Sequence, residues 1–104
     1  MSNGIMGLDY MAFYPPVLAR HLGVQAAIFA SLILGMQKDN DNQWGVRMTT
    51  ETITSKTGLS ANEIRTARRK LREAGVLKEM RGERCMHYRI DELTLRAELD
   101  KALS

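Results

Sequence analysis

The spacing of apolar residues divides this chain into segments of different period. From Leu22 to Met36 the apolar residues are nearly continuous, which predicts a buried helix of about 14 residues. Val24, Ala27, Ile28, Ser31, Leu32 and Gly35 fall on one side of it, and Phe29, Ile33 and Met36 on another. A helix that is apolar all round must be covered on more than one side, either at the centre of a helical core or against a second subunit. Pro15 and Pro16 suit the first turn of a shorter leading helix, Pro15 to His21, which Gly23 separates from the main one. The long run does not read as a membrane span, because about 20 apolar residues are needed to cross a bilayer. It contains Gln25 and Ser31 and is bounded by Arg20-His21 and Lys38-Asp39. It starts too late for a signal peptide, and Asp9 precedes it.

A polar turn over Asp39 to Gln43 leads into Trp44, Val46 and Met48, which alternate with polar neighbours as a short strand. Trp44 reads as a core anchor rather than a platform for stacking bases. Thr49 or Thr50 then caps a short helix over about residues 50–57, with Ile53 toward the core. Gly58 ends it, and Ser60, three residues before Glu63, forms a capping box that starts the next helix. In that helix, Ala61 to Ala74, the positions Ile64, Ala67, Leu71 and Ala74 give one buried stripe. Asn62, Arg65, Thr66, Arg69 and Arg72 lie opposite, and Glu73 is placed to pair with Arg69. Arg68 lies at the stripe's edge, where it either reaches phosphate or covers the core. Gly75 closes the helix. Val76-Leu77 begins an extended run that turns near Arg81-Gly82-Glu83 and returns through Met86 to Ile90. Met86, Tyr88 and Ile90 share the core face by period-two alternation, and Cys85, His87 and Arg89 the other. Asp91 caps a last helix from Glu92 to about Ala102, in which Leu95, Leu99, Ala102 and Leu103 form an apolar edge with Leu93 offset.

Two helices about a tight turn, followed by a hairpin, predict a mainly α fold with a small β-sheet: a winged helix-turn-helix with a three-helix core, a hairpin wing over about 76–90 and extra terminal helices. Residues 1–13 form an N-terminal arm and 14–104 one domain. The stretch TTETITSKTGLSANEIRTARRKLREAGVLKE resembles the winged helix-turn-helix domains of bacterial and phage DNA-binding proteins, above all those of phage and plasmid replication initiators and replisome organisers. The resemblance extends to LGVQAAIF upstream and HYRID downstream, and so covers most of residues 22–91. Two positions depart from the pattern: Thr54 stands where alanine is usual and Thr57 where an apolar residue is frequent. Initiators of this type continue into a second domain, so a chain that stops at Ser104 favours the small regulators.

Composition fits one small domain: 104 residues, 44% hydrophobic and 6% aromatic, enough for a single modest core. The net charge of +3 is distributed unevenly. Residues 60–90 carry nine Lys or Arg against four Glu, residues 1–59 balance four against four, and residues 91–104 come to −2. The positive field therefore coincides with the helix and hairpin that such a fold sets against DNA. The lone cysteine, Cys85, allows no internal disulfide and fits a reducing cytoplasm. With His87 it makes a Cys-x-His pair, but the only other histidine, His21, is distant, so no zinc ligand set forms. No glycine-rich phosphate loop and no nucleophile with a His and a carboxylate beside it are present, so an enzyme is not expected, and neither is a cofactor.

These residues assign the base edges of duplex DNA to Asn62, Arg65, Thr66 and Arg69. Arginine suits bidentate contact with guanine and asparagine with adenine. Thr50, Lys56, Ser60, Lys70, Arg72, Lys78, Arg81 and Arg84 are assigned to the backbone or, at the wing tip, the minor groove, with Ser55 beside Thr50 and Lys56. Leu95, Leu99, Ala102 and Leu103 either pack on the core or join two copies, and a two-fold dimer implies an inverted-repeat site. The chain reads as a phage or mobile-element protein that represses transcription or binds a replication origin. The alternative is a winged helix that serves as a protein-binding module on a replication or defence complex of phage or host.

Overall fold

The computed structural model describes residues 16–39 and 45–103. The expectations for the arm over residues 1–13, for Pro15, for residues 40–43 of the polar turn and for Trp44 lie outside them. The described elements are α1 (Pro16–Leu22), α2 (Val24–Asp39), β1 (Val46–Met48), α3 (Thr50–Thr57), α4 (Ala61–Glu73), β2 (Leu77–Arg81), β3 (Met86–Ile90) and α5 (Glu92–Leu103). The chain is thus mainly helical with a three-stranded antiparallel sheet. Among the described residues, no helix is long and apolar enough to cross a membrane.

α2 is apolar on several sides because it is covered on several sides: α1, α3, α4, β1 and β3 all pack against it. Ala26, Ala27, Phe29, Ala30, Leu32 and Ile33 are buried, and the three alanines let neighbouring backbones come close. The helix runs to Asp39, into the segment expected to be a polar turn. Of the two apolar sides expected, Ala27, Leu32, Phe29 and Ile33 are buried, while other positions are less covered. Val24 is 53% exposed, because it stands in the first turn of α2, just beyond the bend at Gly23. Ile28, Ser31, Gly35 and Met36 are only half-buried. Ser31 donates its hydroxyl to the Ala27 carbonyl at 2.7 Å, so its polar group is satisfied within the helix. At the other end the Gln37 amide pairs with the backbone of Ile90, accepting from its N–H at 2.9 Å and donating to its carbonyl at 3.1 Å. The side chain thereby ties α2 to the end of β3 as a strand would.

The strand order is β1-β3-β2. Val46 lies opposite Tyr88 and Met48 opposite Met86, while Leu77 lies opposite Ile90 and Glu79 opposite Tyr88. Alternation sends Val46, Met48, Leu77, Tyr88 and Ile90 into the core. The Tyr88 ring meets Phe29 of α2 edge to face, centroids 5.3 Å apart. The core face of β3 is as the alternation predicts, and the short first strand pairs with the hairpin through β3.

α5 begins at an Asp91 cap, whose carboxylate accepts from Thr94 N–H at 3.1 Å and is held below the usual carboxylate range chiefly by that bond. The helix packs against α1, where His21 Nε2 lies 3.0 Å from Glu98 Oε1. Leu95 is 8% exposed and Leu99 packs on the core, so both serve this chain's own interior. Ala102 is half-buried and Leu103 is 70% exposed.

Candidate nucleic-acid interface

α3 and α4 are set against each other by a turn that several local hydrogen bonds hold. Thr49 is the N-cap of α3, accepting from Thr52 N–H at 3.1 Å, which leaves Thr50 in the first helical turn. Gly58 takes φ 79°, a left-handed conformation that side chains resist, and its N–H bonds to Thr54 O at 2.8 Å. Thr57, an unexpected polar residue for this motif, has a structural task. Its hydroxyl donates to Ile53 O at 2.7 Å and accepts from Leu59 N–H at 3.1 Å, which bridges helix and turn. Ser60 and Glu63 form the expected capping box, with Glu63 N–H to Ser60 Oγ at 3.1 Å and Ser60 N–H to Glu63 Oε1 at 2.8 Å. The second bond is the main cause that holds the Glu63 carboxyl below its ordinary value. Gln25 of α2 donates to the other Glu63 oxygen at 3.2 Å, so the start of α4 is also fixed to the central helix.

α4 buries Ile64, Ala67 and Leu71 and ends at Glu73, with Ala74 as the capping residue. Gly75 N–H bonds to Arg72 O and Val76 N–H to Leu71 O, both at 2.9 Å, which is the double closure of a Schellman motif. Asn62, Arg65 and Arg69 stand exposed on the outer side, and Arg65 Nη1 donates to Asn62 Oδ1 at 3.0 Å. The Asn62 amide oxygen thus orients the Arg65 guanidinium. Thr66 is half-buried on the flank of this face. Among the described residues, neither Arg65 nor Arg69 is paired with a carboxylate. The expected Arg69–Glu73 pair does not form.

The flank of α4 toward the hairpin is electrostatically different. Glu79 of β2 accepts from Arg68 Nε at 2.5 Å, from Arg68 Nη2 at 3.2 Å and from Arg72 Nη1 at 2.9 Å. Burial acts to raise the Glu79 pKa, but the hydrogen bonds and charges of the two arginines outweigh it and hold the carboxyl below its ordinary value. The same hydrogen bonds raise Arg68. Its guanidinium lies 5.5 Å from the centre of the Tyr88 ring, whose hydroxyl is pushed up mainly by burial. Arg68 therefore covers the core, one of its two expected roles. Arg72, expected on phosphate, already holds a carboxylate.

The remaining candidates divide by location. Thr50, Ser55, Lys56 and Ser60 are exposed on α3 and the turn beside α4. Lys70 is half-buried on the far flank of α4, its ammonium close to Gly23, in a depression shared with Arg20, His21 and Glu73. Arg81 and Arg84 are exposed toward the hairpin end. Lys78, opposite Arg89, lies on the sheet face that points away from the core. Sequence reasoning missed Glu79 as the group that joins α4 to the hairpin. The signal was present: alternation puts Glu79 on the same face as buried Leu77 and beside Tyr88, and a carboxylate there needs a cationic partner.

No protein-family model, curated protein or solved structure matches this chain.

Proposed function

We propose that the chain is a winged helix-turn-helix domain that binds double-stranded DNA in a sequence-specific manner, with α4 in the major groove and the β2–β3 hairpin as the wing. The observation that supports this best is the division of charge on α4. Glu79 takes Arg68 and Arg72, whereas Arg65 and Arg69 stand exposed beside the Asn62 amide with no carboxylate partner among the described residues. A helix whose cations served solubility alone would have no reason to keep those on one face clear and neutralise those on the next. Asn62, Arg65 and Arg69, with Thr66 at their edge, are the base-reading set, each good bidentate pair contributing about 1–3 kcal/mol of discrimination. Thr50, Lys56 and Ser60 on one side and Arg81 and Arg84 on the other hold the backbone. In this reading the protein is a regulator that occupies an operator, or a binder of a replication origin, of phage or mobile-element type, as the sequence resemblance implies.

Binding of labelled duplex DNA by the full chain tests it. Arg69→Glu should weaken duplex binding at least about tenfold, while circular dichroism shows the fold intact. Unchanged affinity in the folded variant would contradict the docking of α4.

A further inference from the structure

The outer face of the sheet carries a pattern that the reading of duplex DNA leaves unused apart from Lys78 and Arg84, which it sets near the backbone or the wing tip. The register lines up Arg47, His87 and Met80 across β1, β3 and β2, with Arg89 and Lys78 in the next row. Arg47, Lys78, Met80 and Arg89 are exposed and His87 is half-buried. None of these five is acidic. Among the described residues, acids that border it include Glu83 in the hairpin loop and Asp91, whose carboxylate caps α5 and senses Lys78.

Beside Arg47, the hairpin loop closes a depression of about 400 Å³ lined by Arg47, Glu83, Arg84, Cys85 and His87. The His87 ring seats against Gly82, where a Cβ would come within 2.7 Å of His87 Nε2 and 2.8 Å of the Cys85 carbonyl. Only glycine permits that approach. His87 Nδ1 is shielded from solvent and has no hydrogen-bond partner among the described residues. Next to it Met80 is 45% exposed, one of few large apolar side chains left open to solvent.

We propose that this face binds single-stranded nucleic acid, with a phosphate held between Arg47 and Arg84 at the depression and a base resting on Met80 and His87. Guanidinium forks suit phosphate oxygens. A polarizable thioether beside an imidazole offers a surface to the flat face of a base. Duplex DNA keeps its base faces inside the stack and cannot use that surface, and an acidic peptide would engage the cations while leaving Met80 and His87 idle. The site is separate from the outer face of α4. Arg68 of α4 stands over Tyr88 on the core side of the sheet, whereas Arg47 and His87 point to the other side. The proposal therefore does not rest on the duplex reading.

The test is fluorescence anisotropy of a labelled oligothymidylate with the full chain at low salt, set beside a labelled duplex. Arg47→Glu should weaken oligothymidylate binding about tenfold or more, and Met80→Ser several-fold. Arg69→Glu should leave it within about threefold. Both sheet substitutions are at exposed positions, and Lys78→Glu provides an independent third should either fail to fold. The proposal is overturned if oligothymidylate does not bind, if Arg69→Glu abolishes its binding while Arg47→Glu does not, or if a polyglutamate peptide displaces it equally well. The last result would assign the face to an acidic protein partner.

Discussion

Arg68 of α4 and Glu79 of β2, eleven residues apart, are joined through both carboxylate oxygens, at 2.5 and 3.2 Å, over the ring of Tyr88. This pair joins the helix to the hairpin, the two elements proposed to meet DNA.

Replacing the carboxylate should loosen that junction. We expect Glu79→Gln to lower stability by about 1.5–3 kcal/mol, the range for hydrogen bonds to charged groups, as read by denaturant unfolding. The effect has a definite sign with pH. Because the folded pKa of Glu79 lies below its ordinary value of 4.5, its stabilisation is present above that value and is lost as pH falls through the lower folded one. Glu63, Asp91 and Glu98 are lowered as well and act in the same direction. The wild-type advantage over Glu79→Gln should therefore shrink below about pH 4.5. An advantage that grew on acidification would show that Glu79 is not held ionised by the arginines.

The same substitution should have an opposite effect on DNA. In the wild type Glu79 occupies Arg72, so that arginine contributes little to phosphate binding. Glu79→Gln frees it, and the slope of log affinity against log salt for duplex DNA should become more negative by about 0.9 for one added phosphate contact. An unchanged slope, with the fold intact, would place Arg72 away from the backbone.

Ser60 both caps α4 and orders the turn before it. Ser60→Ala should cost about 1 kcal/mol, measured by thermal unfolding. Ser60→Asp should restore most of it, since aspartate also accepts the Glu63 N–H. Equal losses in the two variants would mean that the hydroxyl, rather than an acceptor at this position, is what the turn requires.

The end of α5 separates packing from assembly. Leu95→Ala should destabilise the monomer by about 2–3 kcal/mol, whereas Leu103→Ala should stay within about 0.5 kcal/mol. Of the four residues expected at a two-fold interface, only Ala102 and Leu103 are then left for association. Sedimentation of Leu103→Asp should then show a monomer where the wild type shows a dimer, and an unchanged dimer would place the interface elsewhere.

The elements legible in the sequence are those with local causes. Gly58, Ser60 and Glu63 specify the turn within a few residues, and alternation specifies the core face of β3. What escaped depends on which neighbour arrives from a distance. The apolar sides of α2 are equivalent in sequence, and only the positions of α1, α4 and the sheet decide that Ala26 and Ala30 are buried while Val24 is open. Arg68 and Arg72 read as cations available to phosphate until β2 brings Glu79 beneath them. Arg47 drew no assignment, because its role depends on the strand register that sets it opposite His87.

The most direct measurement is selection of bound sequences from a random duplex library by the full chain, with the Asn62→Ala/Arg65→Ala/Arg69→Ala variant run in parallel. We expect the wild type to enrich a defined sequence and the folded variant to lose it. An inverted repeat would indicate a dimeric regulator, and direct repeats an origin binder. No enrichment by the wild type, or the same motif recovered by both proteins, would contradict the reading of DNA by α4.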